Sequence, residues 1–300
     1  NAAMKRQWGV ITILMGLLTL TPPHAGYGQS LPVLTPTTPE AIAYLNRGLQ
    51  AAQTGNIESA IALFQEAIAL DQNLAPAHYN LGLALREQGN LQAAANAFYE
   101  ALSLNPKLAV AYANLGAVLI EGNNFEQAQV YLNRARELSP QLGIAHYNLG
   151  LVALQQGNAK PAIQHFRNAQ KYSSQTPEIF YQLGLAYLEQ KQLEPAKTAF
   201  EEAIRLRPHY SEAHYGLGQV WFQQKQWQAA LNAFQKGIDF NSKYASAYYA
   251  AGVVLFQEKK FSQATAMLQQ AQQLYEQQKQ PQWAVYAKQL AQRAALRMNQ

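Results

Sequence analysis

His78, His146 and His214 are the side chains best suited to acid–base or metal chemistry, and they are evenly spaced: 146 − 78 = 68 and 214 − 146 = 68. A metal would require them to converge with further nitrogen, sulfur or carboxylate ligands. Even spacing argues the reverse, because it puts each histidine at the same place in successive copies of a repeated element. The chain has no cysteine, so it offers no thiolate ligand and no disulfide. Its 17 tyrosines and many glutamines show no point where a nucleophile, a base and an orienting acid meet. The glycines follow a fixed spacing and form no phosphate loop. The expected function is therefore non-enzymatic, with no cofactor and no metal.

A second polar series keeps a shorter spacing. Asn46, Asn80, Asn114 and Asn148 recur every 34 residues (80 − 46 = 34), and Gln182 continues the series. A carboxamide offers an acceptor and two donors, which suits both groups of a peptide backbone whatever its sequence. The same period governs the elements that position these amides. Arg47-Gly48 is followed by Leu81-Gly82, Leu115-Gly116, Leu149-Gly150, Leu183-Gly184, Leu217-Gly218 and Ala251-Gly252, so seven repeats cover Ala41–Gln278 without an insertion. A fixed period in this range marks a stacked array. Within the second repeat, His78, Leu81, Gly82 and Leu85 form one helical stripe, and Ala94, Phe98, Ala101 and Leu102 form another. Gly89-Asn90 breaks the first helix and Asn105-Pro106 stops the second.

The small residues are positional. Counting Ala41 as position 1, position 8 is glycine and position 20 is alanine in all seven repeats. Position 27 is alanine except at Gly237, and position 24 is phenylalanine or leucine throughout. This arrangement lets two helices approach closely beside one large side chain. The pattern resembles the tetratricopeptide repeat over about four-fifths of the chain: Leu-Gly at 7–8, Ala at 20, an aromatic at 24, Ala at 27, and proline at 32 as Pro106, Pro140 and Pro208. Gln72, Ser174, Ser242 and Glu276 depart at position 32, as do Arg47 and Ala51 in the first repeat. The expected fold is all-α, a right-handed α-solenoid of seven 34-residue helix-turn-helix repeats plus a C-terminal capping helix.

Positions 4, 7, 8 and 11 of the first helix face its partner, which leaves 2, 5, 6, 9, 12 and 13 for another face. The resemblance implies that this face is the concave groove of the family, where peptides bind. The candidate groove residues are Asn46, Asn80, Asn114, Asn148 and Gln182 at position 6. To these are added Tyr79, Tyr147, Tyr181, Tyr215 and Tyr249 at position 5, and Leu154, Leu188, Phe222 and Phe256 at position 12. The asparagines either form a ladder for a peptide backbone, as in peptide-binding relatives, or bridge neighbouring helices. The Lys/Arg clamp that some relatives use for a terminal carboxylate is missing, since position 2 holds Ile42, Pro76, Val110, Ile144, Glu178, Glu212 and Ser246.

The ends complete the organisation. Residues 1–3 have the look of a cloning remnant. Residues 4–28 read as a secretory signal peptide: Lys5-Arg6, then the apolar Trp8–Leu20, then small residues allowing cleavage after Ala25 or Gly28. The alternative is an uncleaved N-terminal anchor; the apolar run of thirteen residues is short for a span. Residues 29–38 form a Pro/Thr-rich linker, 39–278 the repeats and 279–300 a capping helix whose apolar stripe is Trp283, Tyr286, Leu290 and Ala294. Thr38-Pro39-Glu40 and Thr176-Pro177-Glu178 both read as helix starts, and Lys171–Gln175 as the least regular junction. The net charge of +5 comes from the ends: without Lys5, Arg6 and the four cations from Lys279 onward, residues 29–278 carry 17 − 18 = −1. Nucleic acid is therefore not expected as a partner. The expected protein is exported, periplasmic or extracellular, without a stable transmembrane span once the signal is removed. It binds a protein or peptide, and can self-associate through the N-terminal segment or the array ends. The alternative function is an assembly or chaperone-like factor carrying an apolar or lipid-like cargo in the aromatic part of the groove.

Overall fold

A computed structural model describes residues 38–298. The expected cloning remnant, the signal segment and all of the linker before Thr38 lie outside the described residues. Among those described, fifteen α-helices occur and no strand. They fall into two compact units, divided in the sequence between Ser174 and Gln175, within the stretch that lacks the proline turn.

The N-terminal unit contains α1 (Pro39–Gln53), α2 (Ile57–Leu70), α3 (Ala75–Glu87), α4 (Leu91–Leu104), α5 (Ala109–Glu121), α6 (Phe125–Leu138), α7 (Gly143–Gln155) and α8 (Ala159–Tyr172). The C-terminal unit contains α9 (Pro177–Glu189), α10 (Leu193–Leu206), α11 (Ser211–Gln223), α12 (Trp227–Phe240), α13 (Ala245–Gln257), α14 (Phe261–Gln277) and α15 (Pro281–Arg297). In each unit the helices pack in consecutive antiparallel pairs, and every second helix packs on the next first helix.

Local chemistry sets the helix ends. Asn56, Asn90 and Asn124, all at position 16, cap the second helices by accepting from Ser59 N at 3.2 Å, Ala93 N at 3.3 Å and Gln127 N at 3.3 Å. Thr38 caps α1 in the same way, accepting from Ala41 N at 3.2 Å. Thr176 departs from the matching signature: α9 begins at Pro177, but the Thr176 side chain makes no cap bond. Each first helix stops at position 15 in the left-handed region. Gly89 (φ 86°) is one such stop, but Lys191 (57°), Lys225 (61°) and Lys259 (60°) hold the same conformation in the C-terminal unit. The lysine charge there lies beside the negative end of its helix, which offsets part of the steric cost of a side chain at positive φ.

The core follows the periodic small residues. Every position-20 alanine is fully buried, from Ala60 to Ala264. The position-8 glycines lie against the position-24 side chains. A Cβ on Gly82 would stand 2.7 Å from the Phe98 ring, and one on Gly184 2.5 Å from the Phe200 ring. The terminal helix corrects one expectation. The buried seam of α15 is Ala284, Ala287, Ala291 and Ala294, whereas Trp283, Tyr286 and Leu290 are only half-buried at its edge. Alanine permits the closest approach to the preceding helix, so the seam rotates onto the small residues. Arg293 and Arg297 lie over the Phe256 ring at 5.9 and 5.6 Å.

Candidate peptide-binding groove

The first helices place their position-5 and position-6 side chains against neighbouring helices before any ligand is considered. Tyr79 packs on Phe98 with centroids 5.8 Å apart, Tyr147 on Phe166 at 5.9 Å, Tyr181 on Phe200 at 6.0 Å and Tyr215 on Phe234 at 5.5 Å. Each is a tilted aromatic pair between positions 5 and 24 of one repeat. Where position 5 is Ala113, position 24 is Leu132 rather than phenylalanine. In the C-terminal unit the tyrosines also meet the turn residues, Tyr181 on Tyr210 at 5.2 Å and Tyr215 on Tyr244 at 5.1 Å. Tyr249 meets the capping helix at Trp283, 6.3 Å away.

The amides are also engaged within the fold. Asn80, Asn114, Asn148 and Gln182 are 2%, 4%, 3% and 2% exposed. Asn80 Nδ2 donates to Pro76 O at 2.7 Å. Asn114 Nδ2 donates to Val110 O at 2.9 Å and to the Tyr79 hydroxyl at 3.1 Å. Asn148 Nδ2 reaches back one repeat, from α7 to α5, and donates to Ala113 O at 3.3 Å. Asn46, on the first helix, is exposed. The amide donors thus bridge neighbouring turns and helices, while the buried Oδ1 of Asn114 has no partner. Burial raises the Tyr79 hydroxyl to about 12 even though Arg86 and the Asn114 bond pull it down. Burial also pushes Tyr215 and Tyr244 well above the usual value and raises Tyr249 to about 12. These phenols stay neutral, as core hydroxyls do.

An open cleft remains on this face of the N-terminal unit. It is small, with about 10 Å³ of space for a water-sized molecule, and its lining is Arg86, Ala117, Ile120, Glu121, Tyr147, Asn148 and Leu151. In repeat register these are positions 12, 9, 12, 13, 5, 6 and 9, all drawn from the positions expected to form the groove. Arg86 donates to Glu121 Oε1 from Nε at 2.8 Å and from Nη2 at 2.5 Å. The two side chains are 8% and 21% exposed, so the cleft floor carries a paired charge. Of the remaining candidates, Leu188 is buried, while Leu154, Phe222 and Phe256 are half-buried.

The histidines stay apart. His78, His146 and His214 each donate from Nε2 to the carbonyl six residues earlier, on Gln72 (3.0 Å), Pro140 (2.9 Å) and Pro208 (2.9 Å). Two also pack inside their own helix pair as expected, His146 on Tyr172 at 5.9 Å and His214 on Phe240 at 5.3 Å. The turn bond was not foreseen; it arises because position 4 sits directly above the incoming turn. His165 lies 6.3 Å from His146, and burial, then His146, then Arg136, hold its pKa below 6.5.

Comparison with known proteins fits this geometry. Residues 28–243 match the profile of the family described as the cilia and flagella-associated protein 70 C-terminal domain, a tetratricopeptide-repeat domain. A comparison with curated proteins gives no match. Among solved structures, the chain resembles the APC/C hetero-tetramer Cut9-Hcn1 with a TM-score of 0.68, 21% identity and 72% of this chain covered. It spans only 43% of that chain. It also resembles YrrB, described as a TPR protein with an unusual peptide-binding site, with a TM-score of 0.53 and 26% identity over 65% of this chain and 99% of that one. A tetratricopeptide repeat protein from Parabacteroides merdae matches with a TM-score of 0.63 and 18% identity, over 83% and 99% of the two chains.

Proposed function

Because the chain belongs to the tetratricopeptide-repeat family described as the cilia and flagella-associated protein 70 C-terminal domain, we propose that it is an adaptor holding an extended or helical segment of another protein against its first helices. Chains of this fold are protein-interaction scaffolds in general and are typically non-catalytic. The observation that carries the finer reading is the cleft lined by Arg86, Ile120, Glu121, Tyr147, Asn148 and Leu151. Its lining comes from positions 5, 6, 9, 12 and 13 of the first helices, and of these the Tyr147 ring also packs on its own helix partner at Phe166. The likeness to YrrB, whose description names a peptide-binding site, supports the same reading. The tyrosines of the C-terminal unit are engaged in ring contacts of 5.1–6.0 Å. That packing favours a peptide over an apolar or lipid-like cargo.

The test is capture of a partner by the whole protein and by Leu154→Glu, which puts a charge on a half-buried groove position. The wild type is expected to retain a partner that the variant loses while keeping its helical signal. Equal capture by both would refute the groove as the binding face. Export belongs to the same reading, supported by Lys5-Arg6, the apolar Trp8–Leu20 and the small residues after it. Sequencing the mature N-terminus is expected to find cleavage after Ala25 or Gly28; an intact apolar segment would refute it.

A further inference from the structure

The second helices of the second and third repeats share a tyrosine cluster outside the groove positions. Tyr99 of α4 and Tyr131 of α6 meet edge to face, with ring centroids 5.8 Å apart and planes at 68°. Tyr112 of α5 stacks on Tyr131 at 6.1 Å and 22°. These are ordinary separations for interacting rings, and all three rings are half-buried. Gln127 Nε2 donates to the Tyr99 hydroxyl at 3.3 Å, which leaves that phenol's own proton free to point elsewhere. Burial, and after it the neighbouring Tyr131 hydroxyl, raise the Tyr99 pKa to about 12. The two phenolic ends therefore lie side by side.

Two features set this pair apart. Tyr181–Tyr210 and Tyr215–Tyr244 are closer, at 5.2 and 5.1 Å, but Tyr181, Tyr210 and Tyr215 are buried in the core, where a reagent does not reach. Tyr99 and Tyr131 keep part of each ring at the surface. The sequence also offers an oxidant no easier target nearby. Cysteine and methionine are the side chains that oxidants commonly attack, and an indole competes with a phenol for loss of one electron. No cysteine, methionine or tryptophan lies between Met15 and Trp221. An electron removed from this part of the chain is therefore drawn from a tyrosine. The ring contacts of 5.8 and 6.1 Å connect Tyr99, Tyr131 and Tyr112 for its exchange.

We propose that Tyr99 and Tyr131 are a site of oxidative cross-linking, at which the two rings are joined and α4 is tied covalently to α6. The oxidant is hydrogen peroxide, with a haem peroxidase as catalyst. Each phenol loses one electron, and its hydroxyl proton passes to water. The two phenoxyl radicals then form one carbon–carbon bond between ring carbons ortho to oxygen, the Cε atoms. The hydrogen on each of these carbons moves to the phenolic oxygen, which restores both aromatic rings. In sum, two phenols and one peroxide give one biphenol and two waters. A chain without cysteine has no disulfide to hold its helices, and this bond supplies a cross-link of another kind.

The test treats the purified full chain with a haem peroxidase and hydrogen peroxide, isolates the monomer and digests it with trypsin. Tyr99 lies in the fragment Glu87–Lys107 and Tyr131 in Leu108–Arg134. Mass spectrometry is expected to find these two fragments joined, with two hydrogen atoms fewer than their sum, and fragmentation to place the link at Tyr99 and Tyr131. Tyr99→Phe and Tyr131→Phe each keep the ring and should lose the joined fragment; Tyr112→Phe should keep it. The cross-linked monomer should also unfold at a higher urea midpoint than the untreated chain, because the link constrains the unfolded state as a disulfide does. A link placed at other tyrosines, or one that survives Tyr99→Phe, would overturn the proposal. So would a monomer without the link in a mixture where free tyrosine is coupled. An unchanged midpoint in the linked chain would overturn the tying of α4 to α6.

Discussion

Substituting Gly116 by alanine sets two known effects against each other. Gly116 lies inside α5, where alanine is intrinsically favoured over glycine by about 1 kcal/mol. The added Cβ, however, would stand 2.5 Å from Leu132 Cγ and 2.6 Å from Leu132 Cδ2. Ordinary carbon contacts lie near 3.5–4.0 Å, so Leu132 would have to move by about an ångström. It is fully buried between the helices of its own pair, where space is not available. Overpacking of this kind costs roughly 1–3 kcal/mol, so the clash outweighs the propensity gain and the variant should be about 1 kcal/mol less stable. Gly122→Ala is the control. Gly122 has an ordinary negative φ and its nearest neighbours would be carbonyls at 3.6 Å, so its stability should be unchanged or slightly raised. Urea denaturation followed by circular dichroism gives the midpoints, and hydrogen exchange localises the loss to α5 and α6. A Gly116→Ala protein as stable as Gly122→Ala would refute the close-approach argument for all the position-8 glycines.

Three further outcomes follow from particular residues. Lys225→Gly should stabilise the C-terminal unit by about 0.5–1 kcal/mol, because relief of left-handed strain exceeds the entropy glycine adds to the unfolded chain; an unchanged or lowered urea midpoint would contradict this. Burial holds the pKa of His165 and of His214 below 6.5 in the folded chain, so their neutral forms contribute stability that is fully present above about 6.5 and lost as the pH falls through the lowered native values. His165→Gln should therefore flatten the stability–pH curve between about pH 7 and 5.5, and an unchanged slope would refute the assignment. Glu121→Gln should destabilise by about 3 kcal/mol, since it leaves Arg86 buried without its counter-charge, whereas Arg86→Met/Glu121→Leu should recover most of that loss; equal losses in the single and double variants would show that the pair is not coupled.

The sequence made the architecture legible because small residues cannot recur every 34 positions by local preference alone. The fixed Gly48-to-Gly252 series needs a close approach, and the position-24 side chains are found there. Turn chemistry was legible only where glycine announced it. Lys191, Lys225 and Lys259 adopt the same left-handed conformation, and nothing in a lysine taken singly indicates that. The seam of α15 was misplaced because hydrophobicity picked Trp283, Tyr286 and Leu290, whereas helix packing selected the smaller Ala284, Ala287 and Ala291. In the α15 seam residue type indicated which face is apolar, and steric fit decided which apolar residues go innermost.

The asparagines show where such reasoning reaches its limit. Helical period fixes the azimuth of position 6, and that azimuth points between successive first helices as well as toward the groove. Which of the two the amide serves depends on its neighbours' shapes, and those belong to other repeats. Asn148 lines the cleft and also donates to Ala113 O at 3.3 Å, so it does both. Asn114 donates twice within the fold and keeps a buried Oδ1 without a partner. A buried acceptor left unpaired costs about 1–3 kcal/mol, so the array holds that amide in place by its donors while one acceptor stays unmatched. In the C-terminal unit position 6 ceases to be an amide after Gln182, becoming Gly216 and then Ala250. A Cβ on Gly216 would meet Phe200 at 2.5 Å, so packing alone removes the amide there. At Gly216 the amide series therefore ends where a neighbouring ring occupies its space.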